Sequence, residues 1–235
     1  MVIISYSNKF VEKNEAIYDY AVNNFISRLL SYMIDSKYRR VVTLSKWIKE
    51  QITKPSQNVI DTLKKIPTKS SYDSQAIEVL KYVQRELHYV SDSVKWDMNE
   101  YWQTAEETAN YSTADCEDGS ILAYVLCRLK GIPANRLYIF VGNVWDPIKK
   151  RENGHCWLGY KPKNYPLNFV FLDWCYYYTS KNTSNRSLFE VIDKEIHEYA
   201  RHYAGGYTSQ PSNYHDIWFV FNEKKSFQRL KPVWS

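Results

Sequence analysis

Ser112-Thr113-Ala114-Asp115-Cys116-Glu117-Asp118-Gly119-Ser120-Ile121-Leu122 is where a polar segment turns into an apolar helix. Ile121, Leu122, Val125, Leu126 and Leu129 recur at helical spacing, and Gly131 followed by Pro133 marks the end. Asp115 suits the N-cap, and Asp118 three residues on reaches back in capping-box spacing. Cys116 therefore falls in the first turn, where unpaired N–H groups and the positive dipole end favour a thiolate. Its neighbours Asp115, Glu117 and Asp118 act in the opposite sense, because nearby carboxylates raise a thiol pKa. A nucleophilic Cys116 thus requires a positive partner. Gly119 and Ser120, one turn on, are small and leave the sulfur open to close approach. A cysteine also serves as a small buried hydrophobe, and Cys127, Cys156 and Cys175, set in apolar stretches, read that way.

Working outward, the partner is sought among five histidines. His88 and His197 fall in predicted helices and His202 near a helix end, whereas His155 lies in Asn153-Gly154-His155-Cys156-Trp157-Leu158-Gly159-Tyr160, a predicted strand entered through glycine. Alternation puts His155, Trp157 and Gly159 on one face, and Phe169, Phe171 and Asp173 on one face of the next strand. A hairpin about Asn164 pairs Tyr160 with Asn168 and, by the same register, His155 with Asp173. Asp173 sits in the apolar run Val170-Phe171-Leu172-Asp173-Trp174, where an unpartnered carboxylate is costly. An acid beside an imidazole fixes its tautomer and stabilises imidazolium.

All seven glycines fall at or after Gly119, so the first half lacks the residues best suited to tight hairpins. From Asn14 to Ile52 the apolar positions Ile17, Tyr20, Phe25, Leu29, Met33, Leu44, Trp47 and Ile48 follow helical spacing. A short helix is expected around Val59 to Leu63, between Pro55 and Pro67, and a longer one over Ser74 to Tyr89. The second half changes period: Leu137 to Val144, Gly154 to Tyr160, Asn168 to Trp174 and Asp216 to Asn222 read as strands. One helix, Ser187 to Tyr203, interrupts them and stops at Gly205-Gly206. The expected class is α+β: a helical N-terminal part, then a nucleophile helix packed on an antiparallel sheet. The expected division is a helical extension over residues 1–70 and a catalytic domain over 71–235, with a helical insertion near 187–203.

Composition excludes several classes. Hydrophobic residues make up 44% and charged residues 24%, typical of a globular protein rather than a disordered or membrane chain. The net charge of +5 is spread over interleaved acids and bases, with only Lys149-Lys150-Arg151 clustered, so no nucleic-acid partner is expected. The four cysteines show no CxxC spacing, so a zinc site built on paired thiolates is not expected. The N-terminal residues lack a signal peptide's basic start and apolar run, and no stretch is long enough to span a bilayer. A cytoplasmic or virion-associated protein with free thiols and no membrane partner is expected.

Together these pieces resemble the transglutaminase-like cysteine peptidases. The resemblance runs from about Tyr82 to Trp174. It rests on Tyr101-Trp102-Gln103-Thr104-Ala105-Glu106, Asp115-Cys116-Glu117-Asp118, Gly131-Ile132-Pro133, Gly154-His155-Cys156-Trp157 and Leu172-Asp173. It is strongest to a bacterial subgroup that includes periplasmic proteases clipping surface adhesins. Ala114 stands where the family usually has Gly, and Cys156 where it often has Ala; both are small-for-small changes. The resemblance implies a papain-like core and a Cys116–His155–Asp173 triad working through a thioester on a protein or peptide substrate. The Cys116 backbone N–H, with a side-chain donor from Trp102 or Gln103, would bind the oxyanion. No cofactor is required, although acids flanking the nucleophile are associated with calcium in that subgroup, and Asp115 and Glu117 match. Two alternatives stay open: a non-catalytic structural or binding protein, such as a phage particle component, and an amine-acceptor cross-linking acyltransferase.

Overall fold

The computed structural model describes residues 32–35, 40–146, 150–163, 170–175 and 214–228. It begins with a hairpin of β1 (Tyr32–Asp35) and β2 (Arg40–Thr43). Helices α1 (Leu44–Thr53), α2 (Gln57–Lys64) and α3 (Tyr72–Glu86) follow, then β3 (His88–Tyr89), α4 (Asp92–Lys95), α5 (Ala105–Tyr111), β4 (Thr113–Ala114) and α6 (Cys116–Leu129). After a 3-10 turn at Ala134–Arg136 come β5 (Leu137–Asp146), β6 (Arg151–Tyr160), β7 (Val170–Leu172), β8 (Tyr214–Phe221) and β9 (Ser226–Gln228). The last five strands form one antiparallel sheet in the order β7-β6-β5-β8-β9. The class is α+β, as expected. Residues 14–31, the turn about Asn164 and the helix expected at Ser187 to Tyr203 lie outside the described residues, as do His197 and His202.

Hydroxyl caps start the early helices: Thr43, Ser56 and Ser71 accept from the N–H groups of Lys46, Val59 and Ser74. Two expectations are corrected. Met33 belongs to β1 rather than to a helix, because Tyr32-Met33-Ile34 finds a β-branched partner run in Val41-Val42-Thr43. His88 is in a strand, because the chain turns extended at Leu87 and the His88 N–H donates to the Ser112 carbonyl at 3.0 Å.

The sheet and helices enclose one core around α6, which is buried from Glu117 through Cys127. A helix buried on every side needs neighbours all round. It packs on β5 and β6 as well as on α1, α3 and α5. Leu44, Trp47, Ile48 and Val59 enter the same core as Ile121, Leu122 and Val125. Gly131 closes α6 at φ +88°, the left-handed conformation that favours glycine.

Alternation separates the two faces of β5 and β6. Leu137, Ile139 and Val141 join Cys156, Leu158 and Tyr160 in the α6 core, while Phe140, Trp157 and Phe171 cluster with ring centroids 5.4–5.9 Å apart on the other face. His155 stacks on Trp157 at 5.9 Å on that second face. Among the described residues no helix is long and apolar enough to cross a membrane.

Candidate active site

Cys116 opens α6, with Asp115 extended before it and Asp118 accepting from the Asp115 N–H at 3.3 Å. The first-turn N–H groups have no acceptor within the helix and point toward the Cys116 end. The thiol donates to Glu117 Oε2 at 3.1 Å. Burial pushes the Cys116 thiol well above its ordinary range, and the Asp115 charge adds to the effect. The pull of the helix start toward thiolate is outweighed here by desolvation and carboxylates, in keeping with the expected need for a positive partner.

His155 Nε2 and Asp173 Oδ2 are 2.6 Å apart, and both residues are buried. The expected register is off by two. Leu158 pairs with Leu172 and Tyr160 with Val170, so the position opposite Asp173 is Trp157 and the His155–Asp173 pair is diagonal. A shift of two preserves the face, which is why the contact survives. The second Asp173 oxygen accepts from the Cys175 N–H at 3.1 Å, and the Asp173 carbonyl accepts from Gln84 Nε2 at 2.9 Å.

Two side chains tie the chain next to this pair to the Cys116 turn. Ser120 Oγ reaches the carbonyls of Cys116 (2.7 Å) and Cys156 (3.2 Å), the latter next to His155. Trp174 Nε1, next to Asp173, donates to the Cys116 carbonyl at 3.2 Å. The Trp174 indole fills the place a Cβ on Gly119 would take. The two small residues of the motif thus serve the contact between helix and sheet.

Neither expected oxyanion side chain has a donor to spare. Trp102 Nε1 donates to Glu100 Oε1 at 2.8 Å, while its ring stacks with Phe219 and Phe221. Gln103 Nε2 donates to the Thr113 carbonyl and to Asp118 Oδ2, and its backbone N–H to Asp118 Oδ1 at 2.7 Å. The motif around Tyr101 is a brace for Asp118. Thr104 next to it makes a capping box with Glu107 that starts α5.

The acids flanking Cys116 belong to a larger cluster. Asp92, Asp115 and Asp118 have carboxylate oxygens within 4.8 Å of one another, and so do Asp92, Glu100 and Glu117. The parallel pairing of β3 with β4 brings two of these acids together. His88 pairs with Thr113 and Tyr89 with Ala114, so the chain leaves both strands side by side, toward Asp92 and toward Asp115. Asp92 then accepts the Tyr101 N–H, which folds Glu100 over the group. Burial, reinforced by repulsion from Asp92, raises Asp115 to about 8. Burial likewise pushes Glu117 and Asp118 well above the carboxylate range. The nearby cation, Lys95, donates to Gln103 Oε1 and the Thr113 carbonyl. Asp115 Oδ1 and Glu117 Oε1 are buried without a hydrogen-bond partner. Buried, unsatisfied carboxylate oxygens fit a hard divalent cation. Glu117 and Asp115 were legible from the motif; Asp92 and Glu100 were not, because a parallel bridge across distant residues leaves no local pattern.

Residues 60–173 match the model of the transglutaminase-like superfamily, which bears out the resemblance carried by the motifs. No curated protein matches the sequence. Two solved structures of Legionella pneumophila LapG, one EGTA-treated and one calcium-bound, are each 18% identical to this chain with a TM-score of 0.44. The alignments cover 78% of this chain and 84% and 87% of theirs.

Proposed function

We propose, taking residues 60–173 as a transglutaminase-like core, that this chain is a cysteine hydrolase of peptide or isopeptide bonds. The observation that carries the reading is the buried 2.6 Å contact between His155 and Asp173, anchored through Ser120 and Trp174 to the Cys116 turn. His155 takes the Cys116 proton, the thiolate attacks the amide carbonyl, and a thioester forms as the amine leaves with a proton from His155. Water then attacks the thioester, again with His155 as base, and the acid product leaves. Asp173 orients the ring and stabilises imidazolium. First-turn backbone N–H groups of α6, that of Cys116 among them, supply the oxyanion donors.

Asp92, Glu100, Asp115, Glu117 and Asp118 would hold a calcium ion. When bound, the ion offsets the carboxylate charge beside the thiol. The residues' own part is to keep the 100–118 segment and the start of α6 in register, through Gln103 on Asp118 and Trp102 on Glu100.

The test is iodoacetamide alkylation read by intact mass across pH, followed by incubation with a peptide library with and without an added amine. Selective labelling of Cys116 and cleavage without amine incorporation support hydrolysis. Amine incorporation supports the cross-linking acyltransferase. A Cys116 that labels no faster than Cys127 favours the non-catalytic binding protein, a reading to which the thiol's contact with Glu117 lends weight.

A further inference from the structure

Cys175 stands beside the His155–Asp173 pair. Its Sγ, a ring nitrogen of His155 and a carboxylate oxygen of Asp173 all lie within 4.8 Å of one another. The chain past β7 keeps alternating: Trp174 turns onto α6, and Cys175 returns to the side of Asp173. The proposed hydrolysis has no use for this second thiol. His155 and Asp173 are buried, while Cys175 is partly exposed and so gives access from solvent.

Sulfur, imidazole nitrogen and carboxylate oxygen are the donors of zinc sites. Ligand atoms about 2.0–2.3 Å from a tetrahedral Zn²⁺ are about 3.3–3.8 Å from each other. The present spacings, 2.6 Å between His155 and Asp173 and at most 4.8 Å overall, reach that arrangement by side-chain rotations of about 1 Å. The Cys175 N–H holds one Asp173 oxygen, and the other, now on His155 Nε2, would turn to the metal. The acid cluster around Asp115 offers only oxygen and selects a harder cation, so the two sites differ in kind.

We propose that His155, Asp173 and Cys175 form a zinc site that withholds the base, making Zn²⁺ a reversible inhibitor. Three protein donors leave one position for water. On binding, the Cys175 thiol releases its proton to solvent and His155 Nε2 exchanges Asp173 for the metal. The ring's remaining proton then sits on Nδ1, and no lone pair is left to accept the proton of Cys116. The inhibition rests on His155 being the base; the binding does not.

The experiment uses Co²⁺ as a spectroscopic probe on the full chain, with calcium in excess to occupy oxygen sites. One equivalent of Co²⁺ should give a sulfur-to-cobalt charge-transfer band, bleached by one equivalent of Zn²⁺. The band should persist in Cys116→Ser and vanish in Cys175→Ser. A parent protein with no such band overturns the proposal without recourse to any variant. A band kept in Cys175→Ser but lost in Cys116→Ser also overturns it, since the nucleophile would be the ligand. In the parent, Zn²⁺ should slow Cys116 alkylation near neutral pH about tenfold, equivalent to one pKa unit of the thiol. A Cys175-dependent band with unchanged alkylation would leave the zinc site standing and remove His155 from its role as base.

Discussion

The thiol of Cys116 donates to the carboxylate of Glu117, its neighbour in sequence, at 3.1 Å. Cys116 and the acid cluster are therefore one electrostatic unit, because burial and the Asp115 charge hold the thiol protonated. Calcium should relieve that charge. The midpoint of Cys116 alkylation against pH is expected to lie lower in calcium than in EGTA. Superimposable profiles would separate the acids from the nucleophile.

Asp173→Asn should keep the shape of the site but permit the wrong His155 tautomer. Turnover is expected to fall by about 10³ to 10⁴, with little change in melting temperature. Asp173→Ala should also lower the melting temperature, since it leaves His155 and the Cys175 N–H without their acceptor. An Asn variant as active as the parent would make Asp173 a structural residue only.

Stability should depend on pH with a definite sign. Asp115 has a folded-state pKa raised to about 8, against about 4 for an unfolded Asp. Between those values the folded state binds more protons, so metal-free stability falls as pH rises through the window. Calorimetry in EGTA should show the melting temperature declining from pH 5 toward pH 8, and calcium should flatten the decline. A rising curve in EGTA would contradict the burial of these carboxylates.

Gly119→Ala should drive its new methyl into the Trp174 indole and cost about 1–3 kcal/mol. Trimming the ring in Gly119→Ala/Trp174→Phe should recover part of that loss, giving a coupling energy in a double-mutant cycle. Additive losses in denaturant melts would show that the two residues do not touch.

The face-level logic of the sequence carried far. Period-2 alternation placed His155 and Asp173 on one side, and a two-residue register error left that intact. Helical periodicity found α6 and its glycine stop at Gly131. Met33 was misplaced because a four-residue strand carries too few positions to tell period 2 from 3.6. The partners of Trp102 and Gln103, expected at the oxyanion, were not legible for another reason. Their donors go to Glu100 and Asp118, partners that become visible only once the chain has folded back. Cys175 was passed over as an apolar-strand residue, although its spacing of two from Asp173 placed it on the same side.

The short parallel bridge between His88–Tyr89 and Thr113–Ala114 has a consequence for how this region tolerates change. It fixes both ends of the excursion between Val90 and Ser112, so Asp92 and Asp115 start from neighbouring strand ends. Closing a somewhat longer loop costs little, since the entropy grows only logarithmically with length. Insertions after Trp96 and before Glu100 would therefore reshape the exposed rim while leaving the acids that face Cys116 in place. The region is built as a fixed frame with an exchangeable arch.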